Sequence, residues 1–145
     1  MWFAKRKKRP FIEVTKLSSL IAEDVQIVGD VSFATGIRVD GRVKGNLIAR
    51  SADEGKTRAL LVLSDKGHIE GSVRCGDAVI NGTVTGDLDV EHFLELQSNS
   101  NVSGTIRYQH LQMDVGAAVR GQLIKAETAE VLELGAAKAN SAERQ

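Results

Sequence analysis

A five-residue pattern, aliphatic-x-Gly-x-aliphatic, recurs along this 145-residue sequence, and six copies that succeed one another at similar steps constrain the fold more than any other feature. The central glycines of these six copies are Gly29, Gly45, Gly71, Gly86, Gly104 and Gly121. Six residues before each copy stands another small or apolar residue: Ile21, Ile37, Leu63, Ala78, Leu96 and Met113. These positions follow one another at steps of 16, 26, 15, 18 and 17 residues. A period of about 17 residues is short for a helical repeat and predicts one coil of a β-solenoid.

Each repeat alternates apolar and polar residues, as half-buried strands do. In the second repeat the residues predicted to face inward are Ile37, Val39, Val43, Leu47 and Ala49. The glycine of every copy is predicted to be a structural corner, because residues with a Cβ atom resist sharp bends and positive φ. Short strands joined by such corners describe an all-β, single-domain, parallel β-helix of about six triangular coils.

The sequence divides into three parts. Residues 1–20 form a basic, aromatic-tipped arm, residues 21–125 the β-helix core, and residues 126–145 a tail that is predicted to be mostly disordered. Aromatic residues make up only 4% of the sequence, so the predicted core is aliphatic. The one long step, of 26 residues, contains a polar insertion at residues 49–58.

The first two repeats resemble the bactofilins, a family of bacterial polymer-forming cytoskeletal proteins. The resemblance covers residues 20–125 and is most specific in LIAEDVQIVGDV (residues 20–31) and IRVDGRVKGNL (residues 37–47). It implies a right-handed β-helix that polymerises end to end into nonpolar filaments without a nucleotide or other cofactor. It also implies flexible tails, an N-terminal tail that touches the membrane in many members, and roles in scaffolding cell-wall enzymes and shaping the cell. The polar insertion is a departure from the family pattern.

The two ends of such a stack are predicted to bind other copies of the chain. Open ends expose backbone groups and apolar side chains, which natural proteins usually cover. The residues expected to take part are Ile21 and Val25 in the first coil, and Met113, Val115, Val119 and Leu123 in the last. An end contact that does not close on itself yields a filament. For residues 126–134 two alternatives stay open, a helix that caps the last coil and a mobile tail.

The N-terminal arm joins an aromatic tip to a basic cluster. The residues predicted to bind an anionic membrane surface are Trp2, Phe3, Lys5, Arg6, Lys7, Lys8 and Arg9. Aromatic side chains partition into the bilayer interface, and anionic lipid attracts basic ones. The alternatives are a solvated polybasic tail and nonspecific nucleic-acid binding. Because residues 5–9 hold five of the 19 basic residues, the remainder carries 14 against 19 acidic ones, which disfavours nucleic acid.

The expected location is cytoplasmic, on the inner face of the cytoplasmic membrane. The single cysteine, Cys75, excludes an intramolecular disulfide, and the sequence has no secretory h-region. It also has no apolar run of about 18 residues that would cross a bilayer.

An enzyme is the competing class, because solenoids also occur in left-handed β-helix acyltransferases, which are trimeric. Residues 21–32 resemble two of their six-residue repeats, but the later coils do not keep that phase. Such enzymes need a general base, usually a histidine. His68, His92 and His110 have no neighbours that suggest activation, and none has metal-ligand spacing to Cys75. The sequence therefore predicts no catalytic, cofactor-binding or metal-binding residue, and favours a filament-forming scaffold over an enzyme. The resemblance to bactofilins implies that this scaffold positions cell-shape or cell-wall proteins.

Overall fold

The computed structural model describes residues 17–50 and 58–126, which fold into stacked coils with three strands each. Within these residues every regular element is a strand, and strands of neighbouring coils pair in parallel. The stack therefore has three faces and about six coils, so the all-β solenoid predicted from the repeat is confirmed. Residues 1–16 of the arm, residues 127–145 of the tail and residues 51–57 of the polar insertion lie outside the described residues.

Four strands bend around a corner and so belong to two faces. The first face contains β1 (Ser19–Ile21), β4 (Gly36–Val39), β7 (Leu60–Leu63), the second half of β9 (Val73–Ile80), the second half of β11 (Leu88–Leu96) and β13 (His110–Met113). The second face contains β2 (Gln26–Val28), β5 (Arg42–Lys44), β8 (His68–Glu70), β10 (Thr83–Thr85) and the first halves of β12 (Asn101–Tyr108) and β14 (Ala118–Lys125). The third face contains β3 (Val31–Phe33), β6 (Leu47–Ala49), the first halves of β9 and β11, and the second halves of β12 and β14.

The core consists of aliphatic columns that run along the stack. On the second face Val43, Ile69, Val84 and Val102 lie in register, and all four are fully buried. Branched side chains suit such a pleated surface, and burying each one contributes about 1.5–3 kcal/mol. The five residues of the second repeat that were predicted to face inward are all buried as well.

The register of the first face differs from the one that the repeat predicts. On the second and third faces the glycine-centred copies pair as expected, with Ile27 opposite Val43 and Val31 opposite Leu47. On the first face, however, Ile21 pairs with Val39 and not with Ile37. Leu63 likewise pairs with Ile80 and not with Ala78, so the repeat alignment was wrong there by two residues.

Corner length explains this two-residue shift. Five residues separate Ile21 from Ile27 at the corner between the first and second faces, but only three separate Val39 from Val43. The glycine corner between the second and third faces has a constant length and keeps both of those faces in register. A two-residue shift leaves the same side chains pointing inward, because strand side chains alternate with period two.

Side-chain amides and carboxylates next to the corners connect successive coils. The backbone N–H of Asn46 donates to Asp30 Oδ1 over 2.9 Å, and the N–H of Ser72 donates to Asn46 Oδ1 over 2.9 Å. The same contact recurs higher in the stack, where the N–H of Thr105 donates to Asp87 Oδ1 over 3.2 Å. These bonds satisfy backbone donors at bends where strand pairing is interrupted.

Candidate functional site

The two ends of the stack are the candidate functional site because their strands are paired on one side only. In the described part of the chain, β13 pairs with β11 and β14 pairs with β12, and neither has a partner beyond. At the other end of the described stack, β1, β2 and β3 pair only with β4, β5 and β6. Among the described residues, each end therefore presents open strand edges, which are templates for pairing with another chain.

The last coil exposes apolar side chains at positions whose equivalents in the coil below are buried. Leu123 lies above fully buried Ile106 but is itself 43% exposed, and Met113 lies above fully buried Leu96 but is 44% exposed. Val119 and Leu111 are half-buried, and Val115, on the corner, is 95% exposed. The four predicted assembly residues of this coil thus lie together on one open end.

The first coil presents a smaller apolar surface. Val25 is exposed on a corner, but Ile21 is buried against the core and contributes little to the end surface. Ile27 and Val31 are half-buried at this end and are not among the predicted assembly residues. They occupy the aliphatic positions of the first glycine motif, a signal that would have identified them.

The six corner glycines lie one above another, and their surroundings show that the first coil is the bottom of the described stack. All six predicted corner glycines have positive φ, between +132° and +154°. A Cβ atom on Gly86 would lie 2.7 Å from the carbonyl carbon of Gly71 in the coil below, and closer to its oxygen. A Cβ atom on Gly29 would meet nothing within 4 Å, because no described coil lies below it.

Burial and charge perturb the pKa values of Asp40 and Cys75. Partial burial raises the pKa of Asp40, but hydrogen bonds from Arg38 and Ser64 and the charge of Arg38 outweigh it, so the pKa lies below its usual value. Arg38 Nε donates to Asp40 Oδ1 over 2.8 Å. Burial raises the pKa of the Cys75 thiol, and the carboxylates of Asp77, Asp89 and Glu91 raise it further. Cys75 is thus an unreactive packing residue.

The other residues considered from the sequence do not converge on a chemical site. His68 begins a strand of the second face in the third coil, His92 lies at the bulge of β11, and His110 begins β13 in the last coil. Within residues 17–50 and 58–126, no three His, Cys, Asp or Glu side chains are grouped to hold a metal ion. None of the described residues belongs to a helix that is long and apolar enough to span a bilayer. The predicted membrane-binding residues, Trp2 to Arg9, lie outside the described residues.

Three comparisons with known proteins agree with one another. The family model Bactofilin, described as polymer-forming cytoskeletal, matches residues 19–124. Bactofilin BacO of Myxococcus xanthus (strain DK1622) is 25% identical over 127 residues, which cover 85% of this chain and 94% of BacO. The atomic structure of the cytoskeletal bactofilin BacA, revealed by solid-state NMR, matches with a TM-score of 0.62 and 28% identity, and covers 75% of this chain and 96% of that one.

Proposed function

The chain belongs to the bactofilin family of polymer-forming cytoskeletal proteins, and we propose that it assembles into nucleotide-independent filaments through the two ends of its stack. The observation that carries this proposal is the open last coil, where Met113, Val119 and Leu123 occupy core positions with no coil of the described residues above them. A second copy placed on this end would bury these side chains and pair the open strand edges. Because each chain has two such ends, end contacts would continue into a filament.

Charging the last coil is expected to block assembly. We expect the double substitution Met113→Glu and Leu123→Glu to raise the critical concentration for filaments at least tenfold, because each step of about 1.4 kcal/mol in contact energy is a factor of ten. Burying either side chain is worth about 1.5–3 kcal/mol, and a buried carboxylate adds a desolvation cost. Sedimentation over a concentration series measures the effect.

Ile48→Glu is the matched control. Ile48 is 39% exposed, about as much as Leu123, but it lies on the outer side of the third face in the second coil, on a strand that is paired on both sides, with β3 and β9. This variant should assemble like the unmodified protein. Equal loss of filaments in both variants would contradict assembly through the ends.

A trimeric acyltransferase is the rival function, and the described residues give it no support. His68 and His110 lie on different faces and three coils apart, with no described cluster of ligands around either. Negative-stain microscopy of the purified protein without nucleotide separates the two functions. Filaments or sheets support the cytoskeletal function, and discrete trimers would favour the enzyme.

We also propose that the arm attaches these filaments to the inner face of the cytoplasmic membrane. Trp2 and Phe3 supply interfacial anchors, and each basic residue of Lys5 to Arg9 adds about 1 kcal/mol near an anionic surface. A single arm binds weakly, but a filament presents many arms together and gains by avidity. A rod attached in this way would serve as a scaffold for cell-wall or cell-shape proteins.

Flotation with vesicles tests the membrane attachment. Vesicles with anionic lipid should carry the protein upward, and purely zwitterionic vesicles should not. Replacing Lys5 to Arg9 by glutamine, or Trp2 and Phe3 by alanine, should abolish flotation. Replacing Arg74 and Arg107, two exposed cations on the third face, should leave it unchanged. Flotation that persists without the arm's charges and aromatic residues would refute this part of the proposal.

A further inference from the structure

The outer side of the first face carries side chains that are buried although they point away from the core. Six residues from the third to the fifth coil, here called the outer strip, form two columns in register: Leu60, Asp77 and Phe93 in one, and Val62, Val79 and Glu95 in the other. The exposed fractions of the four most buried are 1% for Leu60, 3% for Asp77, 8% for Glu95 and 9% for Phe93. Leu60 and Phe93 are not part of the core cluster.

No other part of the described surface behaves in this way. Outward side chains on the other two faces are exposed or half-buried, as for Lys44, Glu70 and Arg74. On the first face itself the burial stops at both ends, because Leu20 in the first coil and Gln112 in the last are exposed. Outward residues of a bare sheet face water. Burial confined to three coils of one face therefore indicates a covering segment.

The geometry points to residues 11–16 of this chain's own arm, FIEVTK, as the segment that docks on the outer strip. Three of the six residues in this segment have large apolar side chains: Phe11, Ile12 and Val14. The segment leads directly into β1, which belongs to the same face as the strip. Leu60 lies two strands from β1 and Phe93 four strands, or about 10 and 19 Å at the usual strand spacing. Six extended residues span about 20 Å, which matches this distance.

Charge favours the arm over the other segments outside the described residues. The strip contains the carboxylates of Asp77 and Glu95, and neither is without a partner. Arg58 Nη2 lies 3.5 Å from Asp77 Oδ2, and Gln97 Nε2 donates to Glu95 Oε2 over 3.3 Å. Residues 5–9 of the arm bring five further cations, whereas residues 127–134 bring three glutamates and no cation. Residues 51–57 have no apolar side chain larger than alanine, so they offer Leu60 and Phe93 less apolar surface than residues 11–16 do.

Docking of this segment holds the basic cluster of the arm on one side of the rod. Residues 5–9 continue from the docked segment along the first face, so a filament would meet an anionic surface with that face. This positioning rests on the proposed membrane attachment and goes beyond it. An arm that did not dock on the outer strip would bind lipid without orienting the rod.

Thiol labelling of the full chain in the absence of lipid tests the docking. Val79→Cys places a thiol in the strip, and Cys75 gives little background because its buried thiol resists ionisation. In the otherwise unmodified chain this thiol should react with a maleimide slowly. Adding Ile12→Asp and Val14→Asp should raise the rate at least tenfold, the factor given by a local opening free energy of about 1.4 kcal/mol. Arg74→Cys, exposed on the third face of the same strand β9, should react fast with or without the arm substitutions.

Three outcomes would overturn the inference. Equal labelling rates of the Val79→Cys thiol with and without the arm substitutions would show that residues 11–16 do not cover the strip. Acceleration only on deletion of residues 127–145 would assign the strip to the C-terminal segment. Protection of the Val79→Cys thiol that rises with protein concentration and is unaffected by the arm substitutions would assign the outer strip to a second copy. Because no lipid is present, none of these outcomes depends on membrane binding, which flotation tests separately.

Discussion

Replacing Val84 with aspartate is expected to prevent the coil stack from folding. Val84 is fully buried in the middle of the second face, with Ile69 below and Val102 above in register. An aspartate there would lose the burial energy of the valine and would place a carboxyl group among aliphatic side chains without a partner. We expect a loss of more than about 4 kcal/mol, a large part of the stability of a small domain.

Circular dichroism and thermal melting measure this effect, and Thr83→Asp is the matched control. Thr83 lies on the same strand, points outward, and is flanked by His68 and Asn101, so a carboxylate there stays in water. The control should keep the β spectrum and lose at most about 1 kcal/mol. A Val84→Asp variant that still melted cooperatively near the normal temperature would refute the core assignment.

Replacing Gly86 with alanine is expected to be nearly as damaging, for a different reason. Gly86 has φ of +143°, and its added Cβ would overlap the carbonyl group of Gly71 in the coil below. Because the obstruction is backbone, it is removed only by separating two coils. The cost combines about 1–3 kcal/mol for the unfavourable φ with a similar amount for overpacking.

Gly29→Ala separates these two costs. Gly29 has φ of +132°, so the substitution carries the same conformational strain, but nothing lies within 4 Å of the new Cβ atom. In thermal melts at equal protein concentration, Gly86→Ala should therefore melt clearly below Gly29→Ala. Equal melting temperatures would show that the close approach of the coils does not require glycine.

The parts of this molecule that follow from the sequence are those governed by local sterics. The glycine corners were predictable because the positive φ and the close backbone approach at Gly86 exclude any side chain. The aliphatic columns were predictable because period-two alternation marks the inward residues of each strand. The register of the first face was not predictable, because the corner before the second face varies in length and the repeat carries no signal for the pairing of the first-face strands.

The ends and the outer strip show the same division. Met113 and Leu123 could be selected from the sequence because they belong to the last repeat, but the burial of Ile21 depends on how the first coil packs. The burial of the strip has a signal in the sequence. The apolar run from Ala59 to Leu63 breaks the alternation and indicates a strand that is covered on both sides.

A stack of aliphatic coils with glycine corners follows from the sequence of this chain, because each coil repeats the same local requirements of chirality, volume and polarity. The strand pairing of the first face, the exposure of each end and the burial on one outer face are set in the folded molecule. These properties depend on residues far apart in the chain, whose contacts are set by corner lengths and by the absence of a further coil at each end of the described stack.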